Sequence, residues 1–299
     1  MEIYNTIKTL TGKTAIALGF FDGVHLAHQE VIKAVIGAKS RGLVPTVMTF
    51  SIANSAPPNK LNIKTILTDE QKFIELQKLG VCQVVNPNFS EIDGIEPTEY
   101  FEEFLVKRLQ VAEISCGYDY TFGKSAKGNI VLLRELCHKY NVGLTVLPKF
   151  QRDGFTISST KIRECINDGD IPTANELLGY EYYTYGKVQY GNKIGNTIGF
   201  PTINQSLSVS QVIPKYGVYK TTTCIDGRVY NSMTNVGVKP TIQGFRLPLA
   251  ETYIVGYEGN AYGKIAKVCY SKMLREEKKF SSVDELKQAI ANDIKSLKE

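Results

Sequence analysis

Hydrophobic and polar positions change rhythm once along the chain, near residue 180. Before that point, apolar runs alternate with segments of helical period. Residues 14–19 form a short apolar run ending in glycine, helical period follows over about 28–39, and 44–50 is a second apolar, β-branched run. Strand, helix and strand in that order predict a βαβ unit, hence a parallel sheet. A helix is expected over 69–79, with Thr68 and Gln71 as a capping box and Gly80 as its stop. Strands near 82–85, 113–116 and 143–147 alternate with helices near 99–109 and 130–140. That alternation predicts a doubly wound α/β domain.

After Leu177-Leu178-Gly179 the chain turns rich in Tyr, Thr, Val and Gly, with period-two alternation. Residues 219–225 and 228–234 flank Asp226-Gly227, a pair suited to the positive φ angles of a type I′ turn, so a β-hairpin is expected. Val188, Val218, Val236 and 266–270 add strand signals, and together they predict a small antiparallel β-barrel. A last amphipathic helix is expected to cover it. Ser282 and Glu285 would form its capping box, with Val283, Leu286, Ile290, Ile294 and Leu297 on one face. The expected domains are 1–180 and 181–299, and a chain of 299 residues can bury two cores.

Composition refines this picture only at its edges. Hydrophobic residues make up 43% and charged residues 22%, as in ordinary globular proteins. The net charge of +5 suits polyphosphate substrates, but Lys and Arg are interspersed with Asp and Glu, so no nucleic-acid stripe is read from it. The six cysteines are scattered without a C-x-x-C pair, which favours reduced thiols over zinc or disulfides. Met1-Glu2-Ile3-Tyr4 offers no basic stretch leading into an apolar one, and no apolar run approaches the length of a bilayer span. A cytoplasmic protein without a membrane partner is the expectation.

The most informative stretch is Gly19-Phe20-Phe21-Asp22-Gly23-Val24-His25-Leu26-Ala27-His28, between a strand and a helix. Glycines let a loop turn sharply and approach a ligand, and free N–H groups at a helix start favour anions. His25 and His28 are three apart, so they share a face and could stabilise charge building up on ATP phosphates. Metal ligation and a purely structural pair are the alternatives. A second signal is Ile157-Ser158-Ser159-Thr160-Lys161-Ile162-Arg163, where hydroxyls, N–H groups and two cations gather before a helical segment. In isolation an ordinary helix cap is the better explanation; beside the first motif it is a candidate triphosphate clamp.

Together these stretches resemble the nucleotidyltransferases that carry H-x-G-H and a later I-S-S-T-x-I-R. More narrowly, 19–28 is similar to the G-x-F-D-G-x-H-x-G-H of bacterial bifunctional riboflavin kinase/FAD synthetases. Gly117-Tyr118-Asp119-Tyr120-Thr121-Phe122-Gly123 resembles that family's G-x-D/N-F-x-F-G segment, and Leu67-Thr68 through Lys72 with Leu79-Gly80-Val81 match in kind and order. The resemblance implies ATP binding by Gly19, Phe20, Asp22, Gly23, Ser159, Thr160 and Arg163, flavin binding by Asp119 and Phe122, and charge stabilisation by His25 and His28. The sequence departs from the family at Ala27, where glycine is usual. It departs again after Phe50, where Ser51-Ile52-Ala53-Asn54 replaces Glu-Pro-His-Pro, and at Thr121, where arginine is common. Slower FAD synthesis than the family norm is expected from these changes.

In the second half, Gly191, Gly195 and Gly199 recur at every fourth position and lead into Phe200-Pro201-Thr202-Ile203-Asn204. That spacing suits a loop around a nucleotide or a flexible hairpin equally, and it is not a Walker A loop. It resembles the G-x-x-x-G-x-x-x-G-F-P-T-x-N signature of riboflavin kinases. Asn235-Val236-Gly237-Val238-Lys239-Pro240-Thr241, Glu251-Thr252-Tyr253-Ile254 and Leu274-Arg275-Glu276 with Phe280 match further family segments in order. Tyr253 stands where the family has histidine, and Gly256 where aspartate is common. The resemblance implies that the three glycines and Thr202 bind ATP, that Thr202 and Asn204 hold Mg²⁺, that Glu251 is the general base and that Arg275 helps to close a flavin site. The implied enzyme uses ATP to convert riboflavin into FMN and FMN into FAD. A kinase-only member of the family and a flavin-sensing protein are the alternatives.

Overall fold

The computed structural model describes residues 1–52, 63–152, 155–191, 199–240 and 246–298. The chain divides into two compact units, one of Met1–Ile63 with Leu67–Ser159, the other of Lys64–Ile66 with Thr160–Glu299.

The first unit begins with β1 (Glu2–Tyr4), β2 (Thr14–Leu18), α1 (Leu26–Gly37), β3 (Val44–Met48), α2 (Asp69–Leu79) and β4 (Gln83–Val85). A short α3 (Pro97–Glu99) runs into a π-helix, Tyr100–Arg108, and β5 (Val111–Gly117), α4 (Ile130–Lys139) and β6 (Gly143–Leu147) follow. β7 (Gln151–Arg152) and β8 (Phe155–Thr156) form a small antiparallel pair. The sheet order is β1-β4-β3-β2-β5-β6, and every pairing in it is parallel. β2 is buried along its whole length, as a central strand covered on both faces must be. From β2 the chain runs outward to β3 and β4, then returns to β5 on the other side. The point where strand order reverses, between β2 and β5, is where open α/β sheets bind ligands, beyond the carboxyl ends of the strands. The loops that leave these two strands are 19–25 and the 118–129 stretch.

The capping box on α2 forms as expected: Thr68 accepts from the Gln71 N–H, and Gln71 accepts from the Thr68 N–H. Gly80 ends the helix at φ 96°. The helix expected near 99–109 has π geometry instead, with the Leu109 N–H donating to the Phe104 carbonyl.

In the second unit, α5 (Ser159–Asp168) and α6 (Ile171–Leu178) precede β9 (Tyr183–Lys187), β10 (Thr202–Ser206), β11 (Gly217–Ile225), β12 (Arg228–Pro240), β13 (Arg246–Ile254), β14 (Ile265–Glu276) and α7 (Val283–Lys295). The six strands pair antiparallel in the order β10-β13-β12-β11-β14-β9. The ring nearly closes where the Gln189 N–H donates to the Asn204 carbonyl at 2.8 Å. Asp226 and Gly227, at φ 53° and 73°, make the tight turn between β11 and β12. One face of the sheet buries a chain of hydroxyls: Thr223, Ser232, Thr221, Thr234 and Thr252 are linked by contacts of 2.8–2.9 Å. Mutual pairing removes the cost that lone buried hydroxyls would carry.

α7 packs on the barrel through Ile290, Ile294 and Leu297 against Val218, Met233 and Leu274. Two expectations about it are corrected. Val283 is 57% exposed, because the helix meets the sheet only from its middle onward. The capping box is half formed: Ser282 accepts from the Glu285 N–H, but the Glu285 carboxylate accepts from the Ser281 N–H and hydroxyl and pairs with Lys278.

Candidate active sites

The loop after β2 is bent by backbone in unusual regions. Phe21, Gly23 and Val24 have φ of 52°, 82° and 40°. For a β-branched residue such as Val24 a positive φ is strained, and surrounding packing must enforce it. Burial supplies that, since Phe21 is 2% exposed and Val24 1%. The turn is tied by the Val24 N–H to the Phe21 carbonyl and by the Gln29 amide to the Val24 carbonyl at 3.0 Å.

His25 is the N-cap of α1, and its Nδ1 accepts from the His28 N–H at 3.3 Å. A ring that accepts at Nδ1 carries its proton on Nε2, where it can be donated to an anion. The two imidazoles stack with centroids 3.5 Å apart, and Phe21 meets His28 edge-on. The first turn of α1 itself holds no acidic residue to offset the positive end of the helix. Asp22 is buried, and its carbonyl accepts from the Ser159 hydroxyl at 2.9 Å. The fold thus brings His25, His28, Asp22, Gly23 and Ser159 together. Further along α5, the Arg163 guanidinium donates to the Thr160 hydroxyl at 3.2 Å.

Gly19 and Phe20 sit at the carboxyl edge of the sheet, where the Phe20 carbonyl accepts from the Thr49 hydroxyl at 2.8 Å. Thr49 also accepts from Lys72, a buried lysine that motif spacing did not mark as a site residue. In the loop after β5, Asp119 is exposed, whereas Phe122 is 6% exposed and packs against Tyr100 and Tyr120 in the core.

The second site is written across three barrel strands. Asn204 on β10 lies opposite Glu251 on β13, which lies opposite Asn235 on β12. Residues paired directly across strands share a face, so the three form one row, and Thr202, two residues before Asn204, shares it. Asn235 belongs to a family segment whose spacing assigns it no role; register places it in this row. Asn204 is 5% exposed, and its Oδ1 has no hydrogen-bond partner within the protein. Gly191 makes room for it, since a Cβ there would sit 2.4 Å from Asn204 Nδ2. Gly199 is exposed at φ 87°, and Gly195 lies outside the described residues. Arg275 is bound to α7: its guanidinium meets the Asp293 carboxylate at 3.0 Å and lies over the Phe280 ring.

Among the described residues no group of three or more His, Cys, Asp and Glu could hold a metal ion. A cation bound by one or two oxygens, with phosphates and water completing its shell, is the arrangement Mg²⁺ adopts with nucleotides. The lone Asn204 Oδ1 beside Thr202 fits that role.

A histidine-bearing loop at the switch point of a parallel sheet and a carboxylate–amide row on a β-barrel together define a nucleotide-dependent transferase with two sites. Comparison with known proteins names it more closely. A family model described as FAD synthetase matches residues 7–161, and one described as riboflavin kinase matches 178–299. The bifunctional riboflavin kinase/FMN adenylyltransferase of Bacillus subtilis is 34% identical, over 97% of this chain and 93% of its own. That of Haemophilus influenzae is 33% identical, over 99% and 96%. A crystal structure titled as a macrolide-efflux protein from Streptococcus pneumoniae matches with a TM-score of 0.87 at 29% identity, over 99% of this chain and 98% of that one. Among the described residues here, no helix is long and apolar enough to cross a membrane. The chain belongs to the bifunctional riboflavin kinase/FMN adenylyltransferase family.

Proposed function

We propose that this chain phosphorylates riboflavin to FMN at the barrel and adenylylates FMN to FAD at the sheet edge, using ATP in both steps. The observation that carries this reading is that each half keeps a built polar site: His25 stacked on His28 in one, Asn204 opposite Glu251 in the other. The functional division follows the sequence, with adenylyl transfer in 1–180 and kinase chemistry in 181–299. A cytoplasmic setting and small-molecule partners alone (riboflavin, FMN and ATP) belong to the same reading.

In the kinase step Glu251 takes the proton of the riboflavin 5′-hydroxyl. The oxygen then attacks the γ-phosphorus of ATP, the bond to the β-phosphate breaks, and ADP leaves. Thr202 and the Asn204 Oδ1 would hold Mg²⁺, which, when bound, neutralises phosphate charge. Gly191, Gly195 and Gly199 belong to the nucleotide loop. Arg275 acts through Asp293 and Phe280, fixing α7 against the flavin side of the barrel.

In the adenylyl step an FMN phosphate oxygen attacks the α-phosphorus of ATP, the bond to the β-phosphate breaks, and pyrophosphate leaves. No covalent enzyme intermediate is needed, so the protein positions the reactants and stabilises charge. His25 and His28 donate to phosphate oxygens, Gly19, Phe20, Asp22 and Gly23 shape the loop, and Ser159, Thr160 and Arg163 supply the motif's hydroxyls and guanidinium. Asp119 contacts FMN, and Phe122 holds the loop that presents it. The test is the full chain supplied with FMN and MgATP: pyrophosphate release matched by FAD is expected. ATP binding without turnover would leave only the kinase.

A further inference from the structure

Lysines on helix surfaces normally lay their stems on the protein and keep the ammonium in water. Lys72, in the first turns of α2, does the opposite. Its side chain is 6% exposed, and Nζ donates to the Phe50 carbonyl at 2.7 Å and the Thr49 hydroxyl at 3.4 Å. The Asp69 carboxylate is 3.8 Å away, and the Phe20 ring centroid 5.1 Å. Thr49 passes the contact on, its own proton going to the Phe20 carbonyl at 2.8 Å. One buried cation therefore ties together the chain leaving β2 and the chain leaving β3, at the edge where the nucleotide loop begins.

That design is costly if its purpose is packing alone. An apolar side chain of similar length would fill the space without desolvating a charge. Burial is the main influence on Lys72 and lowers its proton affinity, and the nearby carboxylates of Asp69 and Asp22 offset it only in part. A polyanion bound beside the loop would complete the compensation.

We propose that Lys72 is a positioning residue for the triphosphate of ATP in adenylyl transfer: it fixes the Phe20 and Thr49–Phe50 backbone and adds a buried positive charge beside the nucleotide loop. This rests on the adenylyltransferase reading above. The test uses the full chain as wild type, Lys72→Met and Lys72→Arg, with pyrophosphate release from FMN and MgATP measured over separate ATP and FMN titrations. Riboflavin phosphorylation by the same samples controls for folding. Lys72→Met is expected to raise the KM for ATP about tenfold or more, the scale of one charge-assisted contact. The KM for FMN and the kinase rate should stay as in wild type, and Lys72→Arg should recover part of the ATP effect. An unchanged ATP response in Lys72→Met overturns the proposal. So does a rise in both KM values together with a lower melting temperature, the mark of a merely structural lysine. Should Lys72→Met lose both activities, Lys72→Gln decides by the same split. A wild type that releases no pyrophosphate refutes the adenylyltransferase reading, and the proposal with it; a turning-over wild type matched by its variants refutes the Lys72 assignment alone.

Discussion

In the first unit the two histidines of the site come from one short stretch. His25 and His28 sit within a single helical turn, and their geometry is set by a strained loop whose buried Phe21 and Val24 hold it bent. In the barrel, Asn204, Glu251 and Asn235 are far apart in sequence and meet because three strands pair in one register. The contrast teaches where each site is vulnerable. A local loop fails through its own backbone and the groups that pin it. A site written across strands fails through register, or through anything that crowds the row.

Single-residue changes should therefore separate the two activities. The largest effect is expected for Glu251→Gln, which keeps shape and removes basicity. FMN formation should fall by about 10²–10⁴-fold while FAD formation from supplied FMN survives. Next, His28→Ala removes one stacked imidazole and should cut FAD formation about 10²–10³-fold, leaving riboflavin phosphorylation intact. Equal loss of both activities in either variant would show that the sites are not separable in this way. A smaller effect is expected for Gly191→Ala. The new Cβ would press on Asn204 at 2.4 Å, and the Asn amide must swing aside. FMN formation should drop about tenfold, the scale of one displaced polar contact, with a rise in the Mg²⁺ concentration needed for half-maximal rate.

The smallest effect concerns α7. The Ser281 N–H and hydroxyl, with Lys278, hold the Glu285 carboxyl down to about 2, from its ordinary 4.5. A depressed folded value means that the stabilisation is complete above pH 4.5 and is lost as pH falls toward 2. Melting curves should show wild type above Glu285→Gln at pH 6, with the gap narrowing below pH 4.5 and closing only as pH falls to about 2.

Much of this molecule was legible before its structure. The Thr68–Gln71 box, the Gly80 stop, the Asp226-Gly227 turn and the β6 strand follow from local chemistry, and local chemistry is what sequence encodes directly. The π geometry of Tyr100–Arg108 was hidden because its apolar spacing reads as an ordinary helix. The half-made box at Ser282 was hidden because pattern names the partners and not which N–H the carboxylate will reach. Lys72 looks like any lysine on a capped helix; only its contacts with Thr49 and Phe50, just after β3, show that it points inward. Phe122 carries a family motif, yet its ring lies in the core. Spacing alone leaves the glycine repeat before Thr202 undecided; what spacing could not show is that strand register sets Asn204 against Glu251 and that Gly191 lies close to Asn204.

The most direct measurement is a time course of the full chain with riboflavin and MgATP, with FMN and FAD separated and quantified. Two built sites in one chain require FMN to appear first and FAD to follow it, each supported by the same preparation. FMN accumulating without FAD at any Mg²⁺ concentration would contradict the account, reducing the histidine loop to a scaffold beside a working kinase.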